Sequence, residues 1–246
     1  MFENKIEFIA HEDYVDLKQD HPTPIKLNIP KWYKKLEHQI FKKTVKGCMP
    51  FLDTLTSGYL LKVAQDYAFK SSKNEKGEGI LEWHPANLDG VQFQEKSINL
   101  NSSQPSLHST DQILGSQLVE KNNNGPFIKI LNPWIIKTPP GYSCLFLPPM
   151  NNSDDRFSII PGIVDTDSFK QEINFPIVLN GDKYPIIDTI IKRGTPYVQI
   201  IPFKRESWSM KIKSVTTNQL KKQKMFYELN IIHNYKNNFW NKKKWN

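Results

Sequence analysis

PGIVDTDSFKQEINFPIVLNGDKYPIIDTIIKRGTPYVQIIPF (161–203) holds short apolar runs of strand length parted by turn formers. Its runs IVD, EINFPIVLN, YPIIDTII and PYVQIIPF are rich in Val, Ile, Phe and Tyr, the residues that fit a pleated, half-buried surface. The breaks between them are Asn-Gly-Asp and Arg-Gly, where the chain can turn sharply. Upstream, FIKILNPWIIKTPPGYSCLFLPP (127–149) and FSIIPG (157–162) repeat the pattern around Pro-Pro-Gly and Asn-Asn. The whole reads as mainly β, and NGDK (180–183) is expected to close a hairpin.

The flanks have other textures. KWYKKLEHQIFKK (31–43) has the spacing of a short amphipathic helix with Trp32, Leu36 and Ile40 on one face. FLDTLTSGYLLKVAQDYAF (51–69) could be helix or strand, and strands are preferred because its C-terminal neighbour is strand-like. Residues 70–125 are loop-rich, with short strands expected at ILEWHP and VQFQ. Residues 214–240 lack Gly and Pro, and Leu220, Met225, Leu229, Ile232 and Phe239 predict a helix over about 216–240. Three regions are expected: an N-terminal extension (1–50) packing on the core, a β domain (51–206) with an insertion at about 70–125, and a basic helical C-terminal segment (207–246).

At 246 residues the chain is long enough for a core without disulfides, and Cys48 and Cys144 form no CxxC pair. Both cysteines lie in apolar sequence and are expected to be buried and inert. No run approaches the length of a membrane span and the N-terminus has no signal-peptide pattern, so a soluble, cytoplasmic protein is expected. The formal net charge is +8, and residues 221–246 contribute seven lysines against one acidic residue. The many Asn and Lys residues and few Gly are compatible with an AT-rich phage or bacterial genome.

Four pieces taken together resemble the core motifs of the dUTPase and dCTP deaminase superfamily, the beta-clip nucleotide hydrolases. TSGYLLKVAQDYAF (56–69) resembles the first motif, and FIKILNPWIIKTPPGYSCLFLPPMN (127–151) the strands and Pro-x-Gly-Tyr turn leading into the second. PGIVDTDSFKQEINFPIVLN (161–180) resembles the third motif and IIKRGTPYVQIIPF (190–203) the fourth. The resemblance implies a beta-clip barrel or sandwich, here with an inserted loop and a C-terminal helix, and a homotrimer. It places Asp165 where the family's water-activating base stands, Phe169 at the sugar-stacking aromatic, and Gly194 and Gln199 on fourth-motif positions.

The departures bear on activity. Leu60 replaces the first motif's Asp, Pro148, Pro149 and Met150 replace the phosphate-holding Arg and Ser, and Pro196 falls where the fourth motif has Arg. A glycine-rich C-terminal arm is absent, with no glycine after Gly194. The strand EINFPIVLN also lacks the deaminase branch's Glu. A lone carboxylate base then has no phosphate ligands beside it, so dUTP hydrolysis is not expected.

Elsewhere, His11 with Asp13, and Glu82 with His84 and Asp89, are short polar clusters that could bind a metal but read more simply as surface. Asp165 and Asp167 alternate, so on a strand both face one side and could take a divalent cation; a solvated turn is the plainer reading. In the tail, Phe226, Tyr227, Tyr235, Phe239, Trp240 and Trp245 interleave with lysines. That pattern suits single-stranded nucleic acid, and equally a helix packing its rings while its lysines stay in water, which helical spacing favours.

The expected function is a divergent beta-clip protein binding a nucleotide or similar small ligand at Asp165, Asp167, Phe169, Gly194 and Gln199, with no cofactor identified. The alternative is a structural or protein-interaction module, such as a phage accessory or virion component. Homo-oligomers and, through the basic tail, nucleic acid are the expected partners.

Overall fold

A computed structural model describes residues 4–39, 41–85, 107–229 and 234–246. Among them are fourteen strands: β1 (Glu7–Ile9), β2 (Thr23–Pro24), β3 (Tyr59–Lys62), β4 (Tyr67–Lys73), β5 (Gly79–Pro85), β6 (Leu107–His108), β7 (Phe127–Ile130), β8 (Ile135–Lys137), β9 (Tyr142–Leu147), β10 (Phe157–Ile159), β11 (Gly162–Val164), β12 (Phe175–Leu179), β13 (Ile187–Ile191) and β14 (Pro196–Lys204). The α-helices are short: α1 (Glu12–Val15), α2 (Lys31–Lys35), α3 (Met49–Thr56), α4 (Gln117–Lys121), α5 (Thr217–Leu229) and α6 (Asn234–Asn238). The protein is mainly β, as expected.

The strands form four antiparallel sheets, ordered β1-β8, β10-β12-β7-β6, β11-β9-β14-β3-β2 and β13-β4-β5. Packing divides the chain into two units, Met1–Thr23 with Gly58–Lys204, and Pro24–Ser57 with Arg205–Asn246. This division cuts across the expected 1–50 segment and joins part of it to the C-terminal region.

In the first unit β14 lies between β9 and β3, and Tyr197, Val198, Gln199 and Ile200 are all buried. Both faces of this strand are covered, which is why its sequence is a continuous apolar run. Phe146, Phe175 and Tyr197 meet edge-on or tilted at 5.3 and 5.8 Å between ring centres, joining β9, β12 and β14 in one core. Such pairs add roughly 0.5–1.5 kcal/mol each beyond their buried area.

The sequence KNNNGP (121–126), expected to be plain loop, ties several strands together. Asn122 is 2% exposed; its amide donates to the Gly125 and Pro126 carbonyls, and its oxygen accepts the Leu179 N–H at 2.8 Å. Asn123 is 3% exposed and donates to Ser71 Oγ and the Pro185 carbonyl. Both Asn123 (φ 54°) and Asn124 (φ 57°) are left-handed, a conformation Asn tolerates better than most residues.

Several expectations are corrected. NGDK forms a turn in which Lys183 and Tyr184 N–H reach the Asn180 carbonyl, but it does not close a hairpin: β12 pairs with β10 and β7, and β13 with β4. Gly181 serves close approach, since a Cβ there would lie 2.2 Å from Asn123 Oδ1. In 51–69, residues up to Thr56 are helical and strand is confined to β3 and the start of β4. Pro50 fits the first turn of α3, and the Thr54 and Thr56 hydroxyls bond back to the Phe51 and Leu52 carbonyls. The irregular look of 70–78 hides a hairpin, where the Asn74 side chain accepts from Lys76 and Glu78 N–H and closes β4 onto β5.

The second unit is helical and irregular. Its expected amphipathic helix stops at Lys35, with Leu36 extended and Tyr33 as the buried face, stacked on Phe51 at 5.9 Å. Ile40 lies outside the described residues. The C-terminal stretch holds two helices, α5 and α6, with 230–233 (including Ile232) outside the description. α5 opens on a reciprocal cap in which Thr216 and Gln219 each bond the other's backbone N–H. Leu220 (47%), Met225 (63%) and Phe239 (44%) are exposed, against the expected packed face. Trp240 Nε1 and Lys243 Nζ both donate to Asp53, the lysine at 2.6 Å. Among the described residues no helix is long and apolar enough to cross a membrane.

Candidate functional site

Where β8 passes into β9, Pro140 and Gly141 occupy the corners of a turn closed by Tyr142 N–H to the Pro139 carbonyl at 3.2 Å. Gly141 has φ +83°, the conformation a type II turn demands at its third residue. This turn holds the segment that follows β11. Val164 pairs with Cys144 on β9, which brings Asp165 beside Ser143, and Ser143 Oγ donates to Asp165 Oδ1 at 2.6 Å. Asp167 reaches the turn itself and accepts the Gly141 N–H at 2.8 Å.

The strand ends at Val164, so Asp165 and Asp167 lie on a turn, the plainer of the two readings of their sequence. Asp165 is exposed; its carbonyl accepts Ser168 N–H at 3.1 Å and Phe169 N–H at 2.9 Å. Between the two aspartates, Thr166 points inward, 1% exposed, with its hydroxyl 2.7 Å from that of Thr138 and 3.3 Å from Cys144 Sγ. Burial pushes the Cys144 thiol up to about 11, partly offset by Thr166, so it is the inert thiol expected. Cys48 is exposed instead, a correction to the buried reading.

Phe169, 41% exposed, stands on the same turn as Asp165. Gln199 does not join them at the surface: it is fully buried and its Oε1 accepts the Met150 N–H at 2.9 Å. It holds β14 to the 148–151 turn. Gly194 lies in the β13–β14 turn with φ +84°, its N–H donating to the Val63 carbonyl. Leu60 is fully buried on β3. The structure thus gathers Asp165, Asp167 and Phe169 on one turn and gives Gln199 and Gly194 structural bonds.

Beside Gly194, Arg193 forms an ion pair that the sequence reading missed. Its guanidinium grips both oxygens of Asp20, 3% exposed, and its N–H meets Asp66 Oδ1 at 2.5 Å. Hydrogen bonding to Asp20 raises the Arg193 pKa against the cost of burial. Ser143 was also missed; its place in PPGYSC, two residues past the turn glycine, is the signal that could have found it.

Of the other candidates, Glu82 is an exposed residue of β5, while Asp89 lies outside the described residues. His11 precedes α1 and its carbonyl caps that helix, bonding Tyr14 and Val15 N–H. Among the described residues no group of three metal-ligating side chains gathers. No protein-family model matches the chain, and no curated protein matches it.

Proposed function

We propose that this is a non-enzymatic assembly module, a divergent beta-clip frame that joins copies of itself through residues 205–215. The frame is supported by where the motif-like pieces fall: each contributes one strand, β3, β9, β11 or β14, to a run of consecutive neighbours in one sheet, alongside strands of other sheets. The observation that carries the function is the segment after β14. RESWSMKIKSV alternates apolar and polar residues at Trp208, Met210 and Ile212, a strand's pattern with one face to bury. Yet these three are 88%, 89% and 86% exposed and lie in no strand. An open edge is on offer in β11, whose neighbour among the described strands is β9 and whose Ile163 is 63% exposed. Strand addition between copies would bury the three side chains, each contributing about 1.5–3 kcal/mol.

Light scattering on the full chain tests this. The expected mass is a multiple of 28.7 kDa that falls toward one copy in a Trp208→Ser, Met210→Ser, Ile212→Ser variant. A single-copy mass for the parent at every concentration would overturn it.

The second reading is a nucleotide site at the Asp165 turn, favoured by the joint exposure of Asp165 and Phe169 on it. A rise in melting temperature with a deoxynucleotide, lost in Asp165→Asn, is its expected signature.

A further inference from the structure

Charge is divided between the two units very unevenly. Residues 24–57 and 205–246 hold 17 lysines and arginines against 4 acidic residues, whereas 1–23 and 58–204 hold 16 against 21. A charge of +13 therefore sits on the smaller unit and −5 on the larger. The basic excess is not confined to the tail; the segment 24–57 contributes seven of the lysines.

Two of the four carboxylates there are already engaged. Asp53 is held by Lys243 and Trp240, and Glu37 pairs with Lys42 at 3.2 Å. A cleft of about 490 Å³ opens between the 35–49 segment and α6, lined by Lys35, Glu37, His38, Lys46, Gly47 and Lys236 among others. It is built, not incidental: Thr44 N–H donates to His38 Nδ1 at 3.0 Å, and the His38 ring lies so close over Gly47 that a Cβ there would stand 2.3 Å away.

Aromatic rings are displayed on this same unit. Trp32 is 48% exposed, Phe41 fully exposed, and Tyr235 and Phe239 50% and 44%. Tyr235 and Phe239 stack one helical turn apart at 6.5 Å, flanking Lys236 of the cleft in sequence. Water-facing rings among surplus lysines are what a single strand of nucleic acid uses: lysines take the phosphates and rings take unstacked bases. A duplex hides its base faces and would leave these rings idle.

We infer that the basic unit binds single-stranded nucleic acid, with the backbone along Lys35, Lys46 and Lys236 and bases on Tyr235 and Phe239. The assembly segment 205–215 supplies only +2 of the +13, which leaves the other residues of the unit to carry the inference. It takes up the nucleic-acid pattern seen in the tail and extends it to residues 31–46.

The experiment is fluorescence anisotropy of the full chain with a labelled oligothymidylate of about 20 nucleotides, longer than common single-fold sites. Salt is varied from about 50 to 200 mM, where phosphate contacts show as a steep loss of affinity. Lys35→Gln, Lys46→Gln, Lys236→Gln together should lower the log–log salt slope by about 2, since each single-strand contact contributes roughly 0.7. Tyr235→Ala, Phe239→Ala should weaken binding by roughly tenfold or more with the slope unchanged. Thermal melts of both variants check folding, and single Lys→Gln changes replace the triple variant if it melts early. No binding at the lowest salt overturns the inference, as does equal affinity for a duplex of the same length. Binding to phosphatidylserine vesicles without binding the oligonucleotide overturns it too, as does a salt slope and affinity indifferent to every variant.

Discussion

Asp20 and Arg193 stand 173 positions apart, and neither has sequence neighbours that announce a partner. In the fold the carboxylate is almost wholly buried and the guanidinium side chain is 24% exposed. Removing one member of such a pair leaves the other's charge poorly solvated, which costs about 3–5 kcal/mol when both are deep. The partial exposure of Arg193 puts Asp20→Asn near the lower end, and a melting temperature lower by roughly 6–12 °C follows for a chain of this size. A loss under about 2 °C would show that the pair is not formed. The cysteines give a second test at this scale. Iodoacetamide should label Cys48 alone in the folded protein and both cysteines in denaturant. Cys144, whose thiol burial lifts from 9.0 to about 11, holds its proton more tightly folded than unfolded. Its contribution is full below about pH 9 and is lost as pH rises toward 11, about 2–3 kcal/mol in all. Melting temperature should fall through that window, and less steeply in Cys144→Ala. Tyr14, raised to about 12 chiefly by burial, extends the decline above pH 10 in both proteins.

At the level of elements, the 122–125 turn after α4 shows what a linear reading cannot supply. Three consecutive asparagines are turn composition by any local rule, and two of them are buried because β12 and the 180–185 turn come to rest on them. Asn123→Ala combines a left-handed backbone with lost hydrogen bonds and should cost about 2–3 kcal/mol. Gly181→Ala should cost about 1–3 kcal/mol by overpacking against the same side chain. Because the two changes share one contact, a double-mutant cycle by urea denaturation should show the pair costing less than the sum. Strict additivity would place the clash elsewhere, for example on the Lys121 carbonyl, 2.7 Å from the same Cβ position. The strands of 127–203 were legible because apolar runs and turn formers are local signals; their partners were not. β12 and β13 look like a hairpin in sequence and belong to different sheets, a choice made by distant strands. α3 was misread because its C-terminal neighbour is strand-like, whereas Pro50 sits in a first helical turn that the sequence also allowed. At the candidate site, the Asp165 turn could be picked out from its sequence, whereas the burial of Gln199 depends on Met150 and could not.

Across the whole molecule, charge was visible as a total and its partition was not, because the basic unit is assembled from two segments nearly 150 positions apart. The exposed linker between β14 and α5 has the opposite history: its alternation reads as a strand, yet every residue from 205 to 216 is exposed and outside regular structure. That conflict between local pattern and fold bears on proteolysis. Trypsin needs an extended, accessible backbone, and Arg205, Lys211 and Lys213 present one, whereas Lys70, Lys129 and Lys137 lie within paired strands. The first cut should therefore fall between 205 and 213, separating the β unit from α5 and α6 along the chain. If copies assemble through this segment, its cleavage slows as protein concentration rises at a fixed ratio of trypsin to substrate, while cleavage after α5 lysines such as Lys222 does not. The triple serine variant should be cut at a concentration-independent rate, because it can no longer bury the segment. Equal concentration dependence in parent and variant would assign the protection to another surface and remove residues 205–215 from the assembly.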